Sequence, residues 1–159
     1  MLITIAAIGR LKAGPERILF DRFLDRASKA GRPLALTFAT REFPESRAGA
    51  PAARKNQEAA AIVASLPDGT RVVALDQTGK SLDSRGFAER LRKWRDDGVG
   101  ELVFAVGGAD GHGAPLMERA DFRLAFGAMT WPHQLVRLML AEQLYRAVTI
   151  LTGHPYHRD

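Results

Sequence analysis

Residues 101–113 read ELVFAVGGADGHG. After Glu101 comes an unbroken apolar run, and then four glycines within seven residues. A short apolar run stopped by glycine is the pattern of a strand buried on both faces. Such strands belong to parallel sheets covered by helices on either side. The rest of the chain should then alternate strands with helices, and it does. Upstream, residues 71–75 (RVVAL) predict a strand. The amphipathic segment 84–97 predicts a helix, with Ser84 as its cap and Gly98 and Gly100 ending it. Further back, residues 2–8 (LITIAAI) predict the first strand, 15–30 a helix, 34–39 (LALTFA) a second strand and 52–66 another helix. Downstream, 115–119 fits a short helix, 124–129 a weak fifth strand and 132–151 a last helix. The expected fold class is α/β: one domain over residues 1–159, a mostly parallel sheet with helices on both faces. Ligands of such sheets bind beyond the carboxyl ends of the strands. Three polar or glycine-rich segments fall there: after Leu75, after Val106 and after Met129.

Composition narrows the function. The 159 residues hold 46% hydrophobic side chains, too many for a disordered chain, and no cysteine. That absence excludes a disulfide scaffold, a thiolate metal site and a thiol nucleophile. No metal site is expected, because only His154 and His157 stand at a helical spacing. The opening MLITIAAIGR lacks a basic lead and a cleavage site, so it reads as a strand rather than a signal peptide. The charge-free stretch 124–136 is too short and too broken to span a bilayer. A soluble, cytoplasmic protein is expected, with no membrane partner. The first 100 residues carry 18 basic and 12 acidic groups, the remainder 5 and 6. This asymmetry fits either a polyanion partner or a generally basic background. Residues 41–55 contain two prolines, a glycine and Arg41, Arg47, Arg54 and Lys55, and read as a mobile loop suited to phosphates.

ALDQTGKS, residues 74–81, loosely resembles a phosphate loop, but only Gly79 offers the needed backbone freedom and Asp76 would face the phosphates. A strand-end turn is the better reading. The glycine segment 107–113 lacks the dinucleotide spacing, and serves as either a cofactor loop or an ordinary turn. His112 within it could be a ligand, but a solvated turn is the better reading. The last helix, PHQLVRLMLAEQLYRAVTILTG from Pro132, is apolar on nearly every side. It needs cover on two faces, so a second copy of the chain is expected on one, the alternative being a central helix of a monomer. The closing GHPYHRD groups Tyr156, His157 and Arg158, able to stack on a base, move a proton and pair with phosphate.

Together, ALD with Gly79-Lys80, the LVFAVGG strand and loop, TWPHQLVRLMLAEQLYRA and the terminal HPYHR resemble the ribosomal RNA large subunit methyltransferase H family, of the SPOUT superfamily. The resemblance spans the chain and is most specific from Pro132 to Arg158. It implies a SPOUT-type α/β knot, with a C-terminal trefoil knot, and a homodimer. It implies methyl transfer from S-adenosyl-L-methionine to N3 of pseudouridine 1915 in helix 69 of 23S rRNA, on the assembled ribosome. By position it implies cofactor binding by Leu75, by Gly107 and Gly108, and by Phe126, Gly127, Ala128, Met129, Thr130 and Trp131. It implies catalysis by the tail, with His157 as first candidate base, Tyr156 as second, and Arg158 stabilising charge. Arg137 and Arg146 are further candidates, with helix salt bridges as the alternative. Two departures stand out: Ala109-Asp110 where similar proteins often have Pro-Glu, and Trp131 where a smaller aliphatic residue is common. A non-catalytic RNA-binding dimer is the competing reading. It would need the basic face but no cofactor pocket.

Overall fold

The computed structural model describes residues 1–157. Five parallel strands form one sheet in the order β2-β1-β4-β3-β5. They are β1 (Leu2–Ile8), β2 (Thr37–Phe43), β3 (Arg71–Ser81), β4 (Glu101–Val106) and β5 (Phe122–Ala125). The helices are α1 (Pro15–Gly31), α2 (Pro51–Ala64), α3 (Ser84–Asp96), α4 (Ala114–Arg119) and α5 (His133–Thr152).

Alternate strand residues point to opposite faces, and the core divides accordingly. Ile3, Ile5, Ala7, Val73, Leu102 and Phe104 face one way, with Phe20 of α1, Leu91 of α3 and Leu140, Leu144 and Val148 of α5. Ala6, Ile8, Val72, Ala74, Val103 and Ala105 face the other, with Ala59 and Ile62 of α2 and Leu116 of α4. Each buried Leu, Ile or Phe contributes about 1.5–3 kcal/mol of transfer free energy, so both helical layers are needed to keep the strands out of water.

α5 packs against both α1 and α3 while its inner face lies on the sheet. The chain's own helices thus cover much of what the sequence pattern left to a second copy. Leu135, Val136, Leu138 and Met139 remain only partly covered.

Five expectations change, the first being that the fifth strand spans Phe122–Ala125 rather than 124–129. The second strand begins at Thr37 rather than residue 34, because Arg32–Leu34 form a 3₁₀ turn and Ala35 takes a left-handed conformation, φ 52°. It then runs on to Phe43, into the segment read as mobile. α2 begins at Pro51, so residues 41–55 are strand end, short connection and helix start. The α3 cap is Asp83, whose carboxylate accepts from the Gly86 N–H, and not Ser84. β3 continues to Ser81 through a bulge, its register on β5 jumping from Leu75 to Lys80. Gly79 permits this bulge: a Cβ there would lie 2.7 Å from the Arg123 and Leu124 backbone.

Candidate cofactor pocket

β4, β3 and β5 are neighbours, so their carboxyl ends open side by side. Between them lies a cavity of about 410 Å³. Of the residues implied as cofactor ligands, Leu75, Gly107, Gly108, Phe126, Gly127, Met129, Thr130 and Trp131 line it; Ala128 does not. Leu124, Phe126 and Val136 supply apolar walls, and Asp76, Gln77 and Asp110 supply polar groups. Thr130 and Gln77 are hydrogen-bonded at 3.3 Å, tying the loop after β5 to the bulge of β3. Gly107 is set by close approach: a Cβ would sit 2.9 Å from the carbonyl carbon of Gly111, where the glycine loop folds back.

Several lining residues were not legible as such. Asp76 holds the Thr78 N–H and hydroxyl. Burial would raise its carboxyl, but those hydrogen bonds, with His112 and Arg123 nearby, hold it below the usual range. His112 is not in a solvated turn: its Nε2 is buried without a hydrogen-bond partner. Burial pushes its pKa down, against the opposing pull of Asp76 and the Ala105 and Leu75 backbone. Its imidazole is therefore held neutral. Lys55 reaches the cavity from α2 and His133 from the first turn of α5. Asp110 is held by Arg54 at 2.8 and 3.3 Å. That guanidinium keeps the carboxyl below its usual range.

The basic residues of 41–55 are accordingly not all free for phosphate. Arg41 pairs with Glu101 at 2.9 Å, and Arg54 with Asp110 and the carbonyls of Ala48 and Gly49. Arg47 is exposed. Of the helix arginines, Arg146 pairs with Glu142 at 2.6 Å, and Arg137 is fully buried.

The tail lies elsewhere. Gly153, φ 68°, ends α5, and the chain turns back along the helix. The Tyr156 hydroxyl donates to Glu142 at 3.0 Å, its ring lies 4.6 Å from that of Tyr145, and the Arg146 guanidinium sits 5.1 Å from it. Burial and then the bond to Glu142 raise its pKa, so it stays a protonated donor. Glu142 is nine residues beyond His133, roughly 13 Å along the helix at 1.5 Å per residue. Within one chain, Tyr156 and the cavity are thus not brought together. His157 is partly buried beside the tail turn; Arg158 lies outside the described residues.

Among the described residues, no helix is long and apolar enough to cross a membrane, and no three metal-ligating side chains cluster.

A parallel α/β sheet with a glycine-cradled cavity across three adjacent strand ends is matched, over residues 1–157, by the family model described as "Predicted SPOUT methyltransferase". The chain belongs to this family of methyltransferases. Its curated relatives point the same way. Proteins named "Ribosomal RNA large subunit methyltransferase H" are 53% identical in Brucella anthropi and 57% in Allorhizobium ampelinum, each over 160 residues and the full length of both chains. The one from Bradyrhizobium diazoefficiens is 54% identical over 159 residues, 99% of each chain.

Proposed function

We propose that this chain transfers a methyl group from S-adenosyl-L-methionine to ribosomal RNA of the large subunit, at N3 of the pseudouridine in helix 69. The observation that carries the reading is the cavity itself. Its volume falls in the range of small-ligand sites. Its walls offer apolar surface for an adenine, and Gly107, where a Cβ would meet the Gly111 backbone, lets the glycine loop fold back along the cavity wall. These residues fit the cofactor. The full-length relatives named as ribosomal RNA methyltransferases support the substrate class.

A bound S-adenosylmethionine supplies a methyl group already activated on a sulfonium. The chain's own work is then alignment, exclusion of water and removal of one proton. Leu75, Leu124, Phe126 and Val136 exclude water. The backbone of the 107–108 and 126–131 segments orients the donor. The N3 proton of the uracil ring must leave, and His157 is the base we assign to it, with Tyr156 as a hydrogen-bond donor and Arg158 on the developing negative charge. Because Tyr156 sits well along α5 from its own cavity, this assignment requires the tail of a second copy. The active form in this reading is a homodimer of single-domain chains, carrying the C-terminal knot of the family, acting on ribosomes in the cytoplasm.

Calorimetry with S-adenosylmethionine tests the pocket. The protein should show saturable binding that Gly107→Ala abolishes, because the new methyl meets the Gly111 backbone. No saturable binding by the unmodified protein, alone or with ribosomes, would overturn the reading in favour of a non-catalytic RNA-binding module.

A further inference from the structure

Three large hydrophobic side chains are exposed among the described residues: Ile18, Met129 and Trp131. Two of the three fall within three residues of each other, in the loop after β5, and both line the cavity mouth. Trp131 is 40% exposed and Met129 72%. A scattered apolar residue on a surface needs no explanation, but a clustered pair at the mouth of a binding site does.

Trp131 is not merely loose. Its indole N–H donates to the Phe126 carbonyl at 3.3 Å, bridging the loop across five residues. Trp94, the other tryptophan, is buried between α3 and β5, and Phe126 packs on the core. Tyr156 is engaged with Tyr145, Glu142 and Arg146 along α5. Within one chain, Trp131 is therefore the one described ring that combines cavity lining, substantial exposure and a fixed orientation.

A base whose ring nitrogen accepts a methyl group must be held with that atom about 3–3.5 Å from the methyl carbon. It therefore lies at the cavity mouth, having left the stack of its own RNA strand. Single-stranded and extruded bases are held by stacking on aromatic side chains, which offer a flat face in place of the lost neighbour.

We propose that Trp131 is the stacking platform for the target nucleobase, with Met129 beside it as a flexible apolar edge. This deepens the functional reading above and rests on it. The loop has two roles: its backbone faces the donor, and the indole faces the acceptor.

The test uses full-length protein, S-adenosylmethionine and ribosomes lacking the modification. Trp131→Ala should lower kcat/KM for ribosomes roughly tenfold or more, the size expected for one lost base–aromatic stack. Trp131→Phe should recover most of it. The calorimetric Kd for S-adenosylmethionine should move by less than about threefold in either variant, against roughly tenfold for a lost stack. Circular dichroism checks that both variants fold. If Trp131→Ala weakens cofactor binding while KM for ribosomes holds, the ring is an adenine wall and the proposal fails. If the variant sediments as a smaller species than the parent, the ring is a contact between copies and the proposal also fails. Unchanged kinetics overturn it directly. If the unsubstituted protein binds S-adenosylmethionine but methylates no ribosome, the functional reading falls first, and this inference with it.

Discussion

Removing one buried arginine should unsettle both the fold and the pocket. Arg137 sits in the second turn of α5, just after the loop that lines the cavity, and is 1% exposed. Its guanidinium donates to the carbonyl of Ile8, to that of Gly9 at 3.0 Å and to Glu42 at 3.4 Å. Burial pushes its pKa down, with Glu42 and Glu45 opposing. Arg137→Ala leaves two carbonyls at the end of β1 without this partner and Glu42 without its buried cation. Glu42 is itself exposed and keeps the Leu11 N–H, so the cost lies in the two buried carbonyls, at about 1.5–3 kcal/mol for each hydrogen bond to a charged group. Part of the cost is offset, because the guanidinium need no longer be kept out of water. A net loss of about 3 kcal/mol is expected, a large share of the about 5–15 kcal/mol that holds a domain together. The melting temperature should fall by roughly 6–12 °C, at about 2–4 °C per kcal/mol for a chain of this size. Arg137→Lys should fall between, since one ammonium does not replace a planar fork. Arg17→Ala is the control. Its pair with Asp21 is exposed at 44% and 55%, worth about 0.3–0.5 kcal/mol. Urea unfolding followed by circular dichroism measures all three. An Arg137→Ala variant within about 1 kcal/mol of the parent, less than a single hydrogen bond to a charged group, would refute the reasoning.

Two further outcomes follow from the structure. His112 has a pKa held below its ordinary 6.5 by burial. Below pH 6.5 the unfolded chain binds a proton that the folded chain refuses, so stability falls as pH drops, by up to about 1.4 kcal/mol per pH unit. Urea titrations at several pH values below neutral should show this fall reduced in His112→Gln; an identical pH slope in parent and variant would contradict it. If the tail serves a second copy's pocket, mixing a chain cut after Gly153 with a Gly107→Ala chain should restore methyl transfer that neither has alone. No gain on mixing would reject a shared site.

The sequence made the centre of the sheet readable and its edges less so. β1 and β4 match their expected bounds because both are continuous apolar runs, buried on both faces by two helical layers. β2 is an edge strand, and its last residues carry Arg41 and Glu42, which looked like loop chemistry. In the fold those charges find Glu101 and Arg137, from segments 60 and 95 residues away. The bulge of β3 was hidden because residues 76–81 are polar and pair with β5 only after a register jump. Of the pocket's three strand ends, that of β4 was legible at Val106, where glycine stops the apolar run; β3 runs on past Leu75 to Ser81, and β5 ends at Ala125 rather than Met129. His112 was not legible, because Asp76 and the β3 and β4 backbone that enclose it come from elsewhere in the chain. The apolar circumference of α5 suggested a second copy, yet α1 and α3 cover much of it. The case for pairing now rests on the tail, which lies along its own helix rather than at its own cavity.

The central claim, methyl transfer from a donor in this pocket to a ribosomal nucleobase, is tested most directly by incubating the protein with labelled S-adenosylmethionine and bacterial ribosomes lacking the modification, then mapping the labelled nucleotide. Label should appear on a single pseudouridine in helix 69, and ribosomes without that pseudouridine should take up little. Label absent from the RNA, or spread over unrelated nucleotides, would contradict the account.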